Sequence, residues 1–156
     1  MKAGGLKSQG DRWRTCLELP DADKRSIGWV IALNGQAVAS SGDYRNYFEH
    51  DGVRYSHLID PATARPMPYK NMRVAVVHSK AMVADAWATA FAVLGHVRGL
   101  RIAEQQNIAV QFALHERVYR SSAFAPRVVE PYSARAEAAP WRNESGKREH
   151  SLKWER

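Results

Sequence analysis

Apolar positions alternate with polar ones through much of the first half of the chain and recur at helical spacing in the second. Trp13, Thr15, Leu17 and Leu19 fall on one side of an alternating stretch, the pattern of a half-buried strand. Gly28 to Leu33 is a short apolar run of the kind a buried strand shows, and Asn34-Gly35 is a hairpin signal leading into a strand over 36–40. Asp51-Gly52 is a second hairpin signal, after which Val53 to Ile59 returns as a strand. Pro61, Pro66 and Pro68 predict a loop over 60–68, because proline cannot donate to a sheet ladder. Met72 to His78 is rich in β-branched residues and predicts a central strand. A helix follows over 80–94, then a shorter one over 97–106, a strand over 108–114 and an edge strand over 118–124. The sum is an α+β domain, built mainly on antiparallel sheet with two helices in the second half.

The first of those helices carries the clearest periodicity. Ser79 is placed to cap its start and Gly95 to close its end. At about 100° per residue, Met82, Ala86 and Val93 share one sector, which predicts the buried face. Asp85 lies at the edge of that sector and Thr89 inside it. A carboxylate on an apolar face is costly unless paired, hydrogen-bonded or bound to a metal. Spaced four apart, Asp85 and Thr89 offer two hard oxygen donors of the type Mg²⁺ or Ca²⁺ takes. The structural alternative is an acid favouring the helix dipole and a Thr hydroxyl bonded back to the Asp85 carbonyl.

Composition narrows the function classes. The chain has 156 residues, 45% apolar and 25% charged, enough for one domain with a real core. Its formal charge of +7 and pI near 9.8 raise nucleic acid as a partner. The 23 basic residues are scattered, however, without the dense cluster a phosphate track needs, which argues against it. An anionic small ligand fits moderate positive charge equally well. Cys16 is the only cysteine, so an internal disulfide and a cysteine-based zinc site are excluded. No apolar run is long enough to span a bilayer, and no h-region follows Met1-Lys2, so no signal peptide is expected. Residues 1–128 read as the folded domain. From 129 to 156 the apolar periodicity is lost, and a disordered tail is expected.

His57 stands near the end of a strand, just before the turn that Asp60-Pro61 opens, where strands deliver side chains to sites. A histidine there can take a proton from a hydroxyl, or be purely structural. Asp60 and Thr63 are expected to stabilise the turn through their own side chains. In Ser41-Gly42-Asp43-Tyr44-Arg45 a polar turn precedes aromatic residues that can stack on a flat ring or pair across strands.

Three of these pieces occur in one order: S-G-D-Y-R-N-Y-F-E at 41–49, Y-S-H-L-I-D-P-A-T at 55–63 and A-M-V-A-D-A-W-A-T-A at 81–90. Together they resemble the ApbE/NosX-type FAD:protein FMN transferases, and S-S-A-F-A-P at 121–126 is similar to that family's closing strand. The resemblance covers residues 3 to 128 and implies an incomplete T-fold-like core corresponding to the C-terminal part of a flavin transferase. It implies FAD as substrate with Mg²⁺, transfer of FMN to a Thr or Ser hydroxyl of a target protein, and release of AMP. By position, Asp85 and Thr89 would be metal ligands, His57 the base for the acceptor hydroxyl, and Ile59 a contact to the flavin nucleotide. An FAD pyrophosphatase and a non-catalytic flavin-binding or structural remnant are the alternatives.

Two departures stand out. Ala64 occupies a position where the family has Gly, which predicts an adjusted loop or the loss of a positive-φ turn. Members of the family are also longer, with an N-terminal half that supplies much of the FAD pocket and a backbone carbonyl to the metal. The family is often exported to the cell envelope. Membrane association of this chain would require a segment outside it.

Overall fold

Met72 to Val77 is buried along its whole length, because both faces of its sheet are covered. This is why the stretch reads as continuously apolar rather than alternating. The computed structural model describes residues 1–20, 26–114 and 117–131. Its strands are β1 (Trp13–Glu18), β2 (Ile27–Leu33), β3 (Ala37–Gly42), β4 (Tyr47–His50), β5 (Val53–Asp60), β6 (Arg65–Pro68) and β7 (Met72–His78). Then come α1 (Ala81–Gln105), β8 (Ala109–Leu114), β9 (Arg117–Arg120) and, after a 3₁₀ turn at Ala125–Arg127, β10 (Val128–Pro131).

All pairings among these strands are antiparallel. The central sheet has the order β3-β7-β8-β9, a second sheet β1-β2-β10, and a third β4-β5-β6. α1 covers one face of the central sheet, burying Ala84, Ala88, Phe91 and Ala92 against Met72, Val74, Val76, Val110 and Phe112. Leu17, Ile31 and Leu33 from the second sheet meet Ala75, Val77 and Ala109 on the opposite face, together with Val38 and Phe124. The antiparallel α+β architecture expected from the pattern is present, in three layers.

The two expected helices are the arms of one kinked element. Gly95 breaks it with φ 75° and ψ 170°, a conformation that favours glycine. Lys80, not Ser79, occupies the N-cap, without a side-chain cap; its N–H donates to His78 Nδ1 at 3.0 Å. The sector of Met82 and Ala86 faces outward: Met82 is 78% exposed. The buried stripe is instead made of small residues, Ala84, Ala88, Ala92, Gly99 and Ala103, with Phe91 as its one large side chain.

Two further expectations are corrected. Asn34-Gly35 makes no hairpin, because β2 pairs with β1 and β10 whereas β3 pairs with β7; the turn carries the chain from one sheet to another. Residues 65–68 form a strand despite Pro66 and Pro68. β6 lies at a sheet edge and its pairing with β5 is irregular, and both circumstances spare the missing N–H groups. Near the N-terminus, Met1 to Ala3 pair with the free edge of β3 through Met1–Val38 and Ala3–Gln36 backbone bonds. At the other end β10 pairs with β2 as far as Pro131, and the rest of the expected tail lies outside the described residues. Among the described residues, no helix is long and apolar enough to cross a membrane.

The turn after β5 keeps its positive φ even without glycine. Ala64 sits at φ 53°, with its N–H donating to the Asp60 carbonyl at 2.8 Å, and Asp60 Oδ1 accepts from the Ala62 N–H at 2.9 Å. A left-handed conformation costs a non-glycine residue about 1–2 kcal/mol. Ala64→Gly is therefore expected to raise the melting temperature by about 1–4 °C, after the entropy of an added glycine is subtracted. An unchanged or lower melting temperature would show that the loop bears no such strain.

Candidate functional site

A cleft of about 230 Å³ opens where β3, the 43–46 segment and β5 meet, lined by Ser40, Ser41, Gly42, Tyr44, Arg45, Asn46 and His57. It thus joins two of the three sequence elements, S-G-D-Y-R and Y-S-H-L-I-D-P, in one place.

The cleft is shaped by how tightly its floor is fixed. Gly42 lies opposite Arg73 in the β3–β7 register, and a Cβ at Gly42 would land on the Met72 carbonyl oxygen. Asp43 next to it is buried and serves as a staple. Its Oδ1 accepts from the Met72 N–H and its Oδ2 from the Lys70 N–H, each at 2.7 Å. The Asp43 carboxylate in the motif therefore holds backbone rather than facing a ligand.

The next two residues, Tyr44 and Arg45, are tied from the second sheet. The pairing of β1 shifts register between Leu17 and Glu18, the kind of irregularity that re-aims a side chain. Glu18 Oε2 accepts from the Tyr44 hydroxyl at 2.8 Å and lies 3.6 Å from Arg45 Nη2. Burial, with the hydrogen bond to Glu18 second, pushes the Tyr44 hydroxyl pKa above its ordinary value. Beneath them Arg73 is buried, donating to the Glu18 carbonyl and to Ser40 Oγ at 3.0 Å. Burial lowers the Arg73 pKa from its ordinary value.

His57 is exposed at the edge of the cleft. Its Nδ1 lies 2.8 Å from the Asn46 carbonyl oxygen, which also accepts the His57 backbone N–H at 3.2 Å. A carbonyl can only accept, so in the neutral ring Nδ1 carries the proton and Nε2 keeps its lone pair free. Ile59, two residues on, shares the His57 face of the strand and is 51% exposed.

Asp85 and Thr89 lie elsewhere, both exposed on α1 and outside the lining of the cleft. Asp85 therefore bears none of the desolvation cost its pattern implied. Neither side chain makes a hydrogen bond or ion pair with the described residues, so the back-bonded Thr89 alternative is not what the fold adopts. One carboxylate and one hydroxyl suit a hard cation as two of its ligands, with water and phosphate oxygens as others. No cluster of three or more His, Cys, Asp or Glu side chains that could hold a metal occurs among the described residues. The donor pair fits Mg²⁺ as part of a site. The outward Met82, Val83, Ala86, Trp87 and Ala90 form a shallow apolar groove on the same helix.

The model of the ApbE family matches residues 1–112. The chain belongs to the ApbE family. It is 44% identical over 126 residues to an FAD:protein FMN transferase of Vibrio cholerae, covering 78% of this chain and 38% of that protein. It is 34% identical over 116 residues to that of Escherichia coli K12, covering 74% and 33%. Among solved structures, it resembles the apo flavinyl transferase ApbE of Pseudomonas stutzeri at TM-score 0.65 and 37% identity, covering 81% of this chain and 40% of that one. Against the flavin transferase ApbE of Vibrio cholerae the TM-score is 0.67 at 37% identity, with 81% and 41% covered. This ApbE chain thus spans between 33% and 41% of the length of these relatives.

Sequence reasoning missed Glu18, Asn46 and Arg73. Glu18 acts from another sheet, 26 positions before Tyr44, and Asn46 acts through its carbonyl, which no side-chain pattern betrays. Arg73 had a signal, a lone cation inside the apolar run of β7.

Proposed function

We propose that this chain carries the proton-accepting and metal-holding parts of an FAD:protein FMN transferase site, acting with the portion of the ApbE fold that it does not span. The observation that carries this reading is the Nδ1-protonated His57, fixed on the Asn46 carbonyl with Nε2 free at the edge of the cleft. A base for a hydroxyl needs that lone pair held in one direction.

In this reading the hydroxyl of a Thr or Ser on an acceptor protein gives its proton to His57 Nε2. Its oxygen attacks the phosphorus of the FMN half of FAD, forming a phosphoester, and the bridging P–O bond breaks to release AMP. Asp85 and Thr89 would hold Mg²⁺, whose charge offsets that of the pyrophosphate and the leaving phosphate. Ile59 would lie against the flavin nucleotide. The net charge of +7 favours approach of an anionic substrate.

The test grafts this chain in place of the homologous segment of the Vibrio cholerae relative, then adds FAD, Mg²⁺ and an acceptor protein bearing a target Thr. Covalent flavin fluorescence on the acceptor supports the proposal; its absence, with the unaltered relative active alongside, counts against it. Asp85→Ala in the same graft is expected to weaken Mg²⁺ at least tenfold in calorimetric titration, about 1.4 kcal/mol at 25 °C. An unchanged titration would remove the helix from the metal site and favour a non-catalytic remnant.

A further inference from the structure

We infer that Glu18 is a positioning residue for His57, setting which imidazole nitrogen carries the proton. The inference rests on the role proposed for His57, but the contacts that lead to it are independent of that role. Glu18 belongs to β1 in the second sheet and His57 to β5 in the third, so no strand pairing joins them directly. They are joined through three consecutive residues. Tyr44 and Arg45 are held by the Glu18 carboxylate, at 2.8 and 3.6 Å, and Asn46 then presents its carbonyl to His57 Nδ1 at 2.8 Å.

The segment is also anchored at its two ends, by the Asp43 staple to Lys70 and Met72 and by the His57 backbone N–H, which donates to the Asn46 carbonyl at 3.2 Å where β4 and β5 begin to pair. Asp43 fixes where the segment starts. Between Asp43 and β4 the side-chain anchor is Glu18, with the Arg45 guanidinium also 5.4 Å from the Tyr44 ring. Arg73 in turn holds the Glu18 backbone, so the carboxylate is aimed from a fixed base. An isolated neutral imidazole prefers its proton on Nε2, the nitrogen this fold leaves free. The Asn46 carbonyl must therefore stay within hydrogen-bond distance to keep the proton on Nδ1. Without Glu18, Tyr44 and Arg45 lose their side-chain tether, the Asn46 carbonyl is left to the backbone bond at 3.2 Å, and its aim at Nδ1 loosens.

The measurement is the pair of His57 side-chain ¹⁵N shifts in the intact chain, with the ring neutral. The native protein is expected to show a pyrrole-like Nδ1 and a pyridine-like Nε2. Glu18→Ala is expected to move the Nδ1–H to Nε2–H ratio about tenfold towards Nε2–H, the factor a hydrogen bond of ordinary strength supplies. Tyr44→Phe, which leaves the Arg45 contact, should move the ratio in the same direction by less. Should Glu18→Ala fail to fold, Tyr44→Phe and Arg45→Gln carry the test. A His57 tautomer unchanged in every folded variant overturns the inference. Because the readout needs no flavin transfer, failure of the proposed reaction and failure of this inference are separately visible.

Discussion

Replacing His57 by glutamine is expected to lower FMN transfer by about 10²–10⁴-fold, the usual contribution of a positioned general base. The expectation applies to the grafted enzyme, in which the whole ApbE fold is present. Glutamine keeps the bulk of the side chain and can still donate to the Asn46 carbonyl, but offers no lone pair of comparable basicity. FAD and Mg²⁺ affinities should stay within about threefold, less than half of the 1.4 kcal/mol that marks a tenfold change. The defect should thus fall on turnover and not on substrate binding. Steady-state transfer rates across FAD concentrations give the split. A variant that transfers at the native rate would take His57 out of the chemistry, leaving it a ring that ties β5 to Asn46.

The largest stability effect is expected at Asp43. Asp43→Ala strands the Lys70 and Met72 N–H groups that now meet the carboxylate at 2.7 Å. Hydrogen bonds to a charged group are worth about 1.5–3 kcal/mol each, so the pair gives a loss of about 3–6 kcal/mol. That is a large share of the roughly 5–15 kcal/mol that holds a domain of this kind folded. Asp43→Asn keeps one acceptor oxygen and should lose about half as much. Urea unfolding measures both, with the loss read from the midpoint at unchanged slope. A shift under about 1 kcal/mol for alanine would mean that water satisfies both N–H groups as well as the carboxylate does.

Much of this architecture was legible because burial on one or two faces leaves a clear trace. β7 announced itself as a run of Val and Ala, and two covered faces are the reason. The break at Gly95 was equally legible, since a positive φ there suits glycine. The face of α1 was not. Met82 and Ala86 point outward, while Ala84, Ala88, Phe91 and Ala92 pack on the sheet, so the sector taken as buried is the exposed one. Asn34-Gly35 misled for another reason: the turn is local, but which strand pairs with which depends on partners far along the chain.

The candidate site divides in the same way. His57 and the S-G-D-Y-R element were visible as residue types, and the fold brings both to one cleft. That Asp43 staples backbone, that Asn46 works through its carbonyl, and that Glu18 reaches across from β1 are three-dimensional facts with no local signature. Asp85 and Thr89 were visible through spacing.

The proposed reaction passes FMN from FAD to a protein hydroxyl at this site. Its most direct test is the stoichiometry of products in the grafted enzyme. AMP released and FMN bound to the acceptor are counted together, by chromatography and by the intact mass of the acceptor. Equal amounts of the two, both lost with His57→Gln, are the predicted result. AMP formed with free FMN and an unmodified acceptor would contradict it, and would make the site that of an FAD pyrophosphatase.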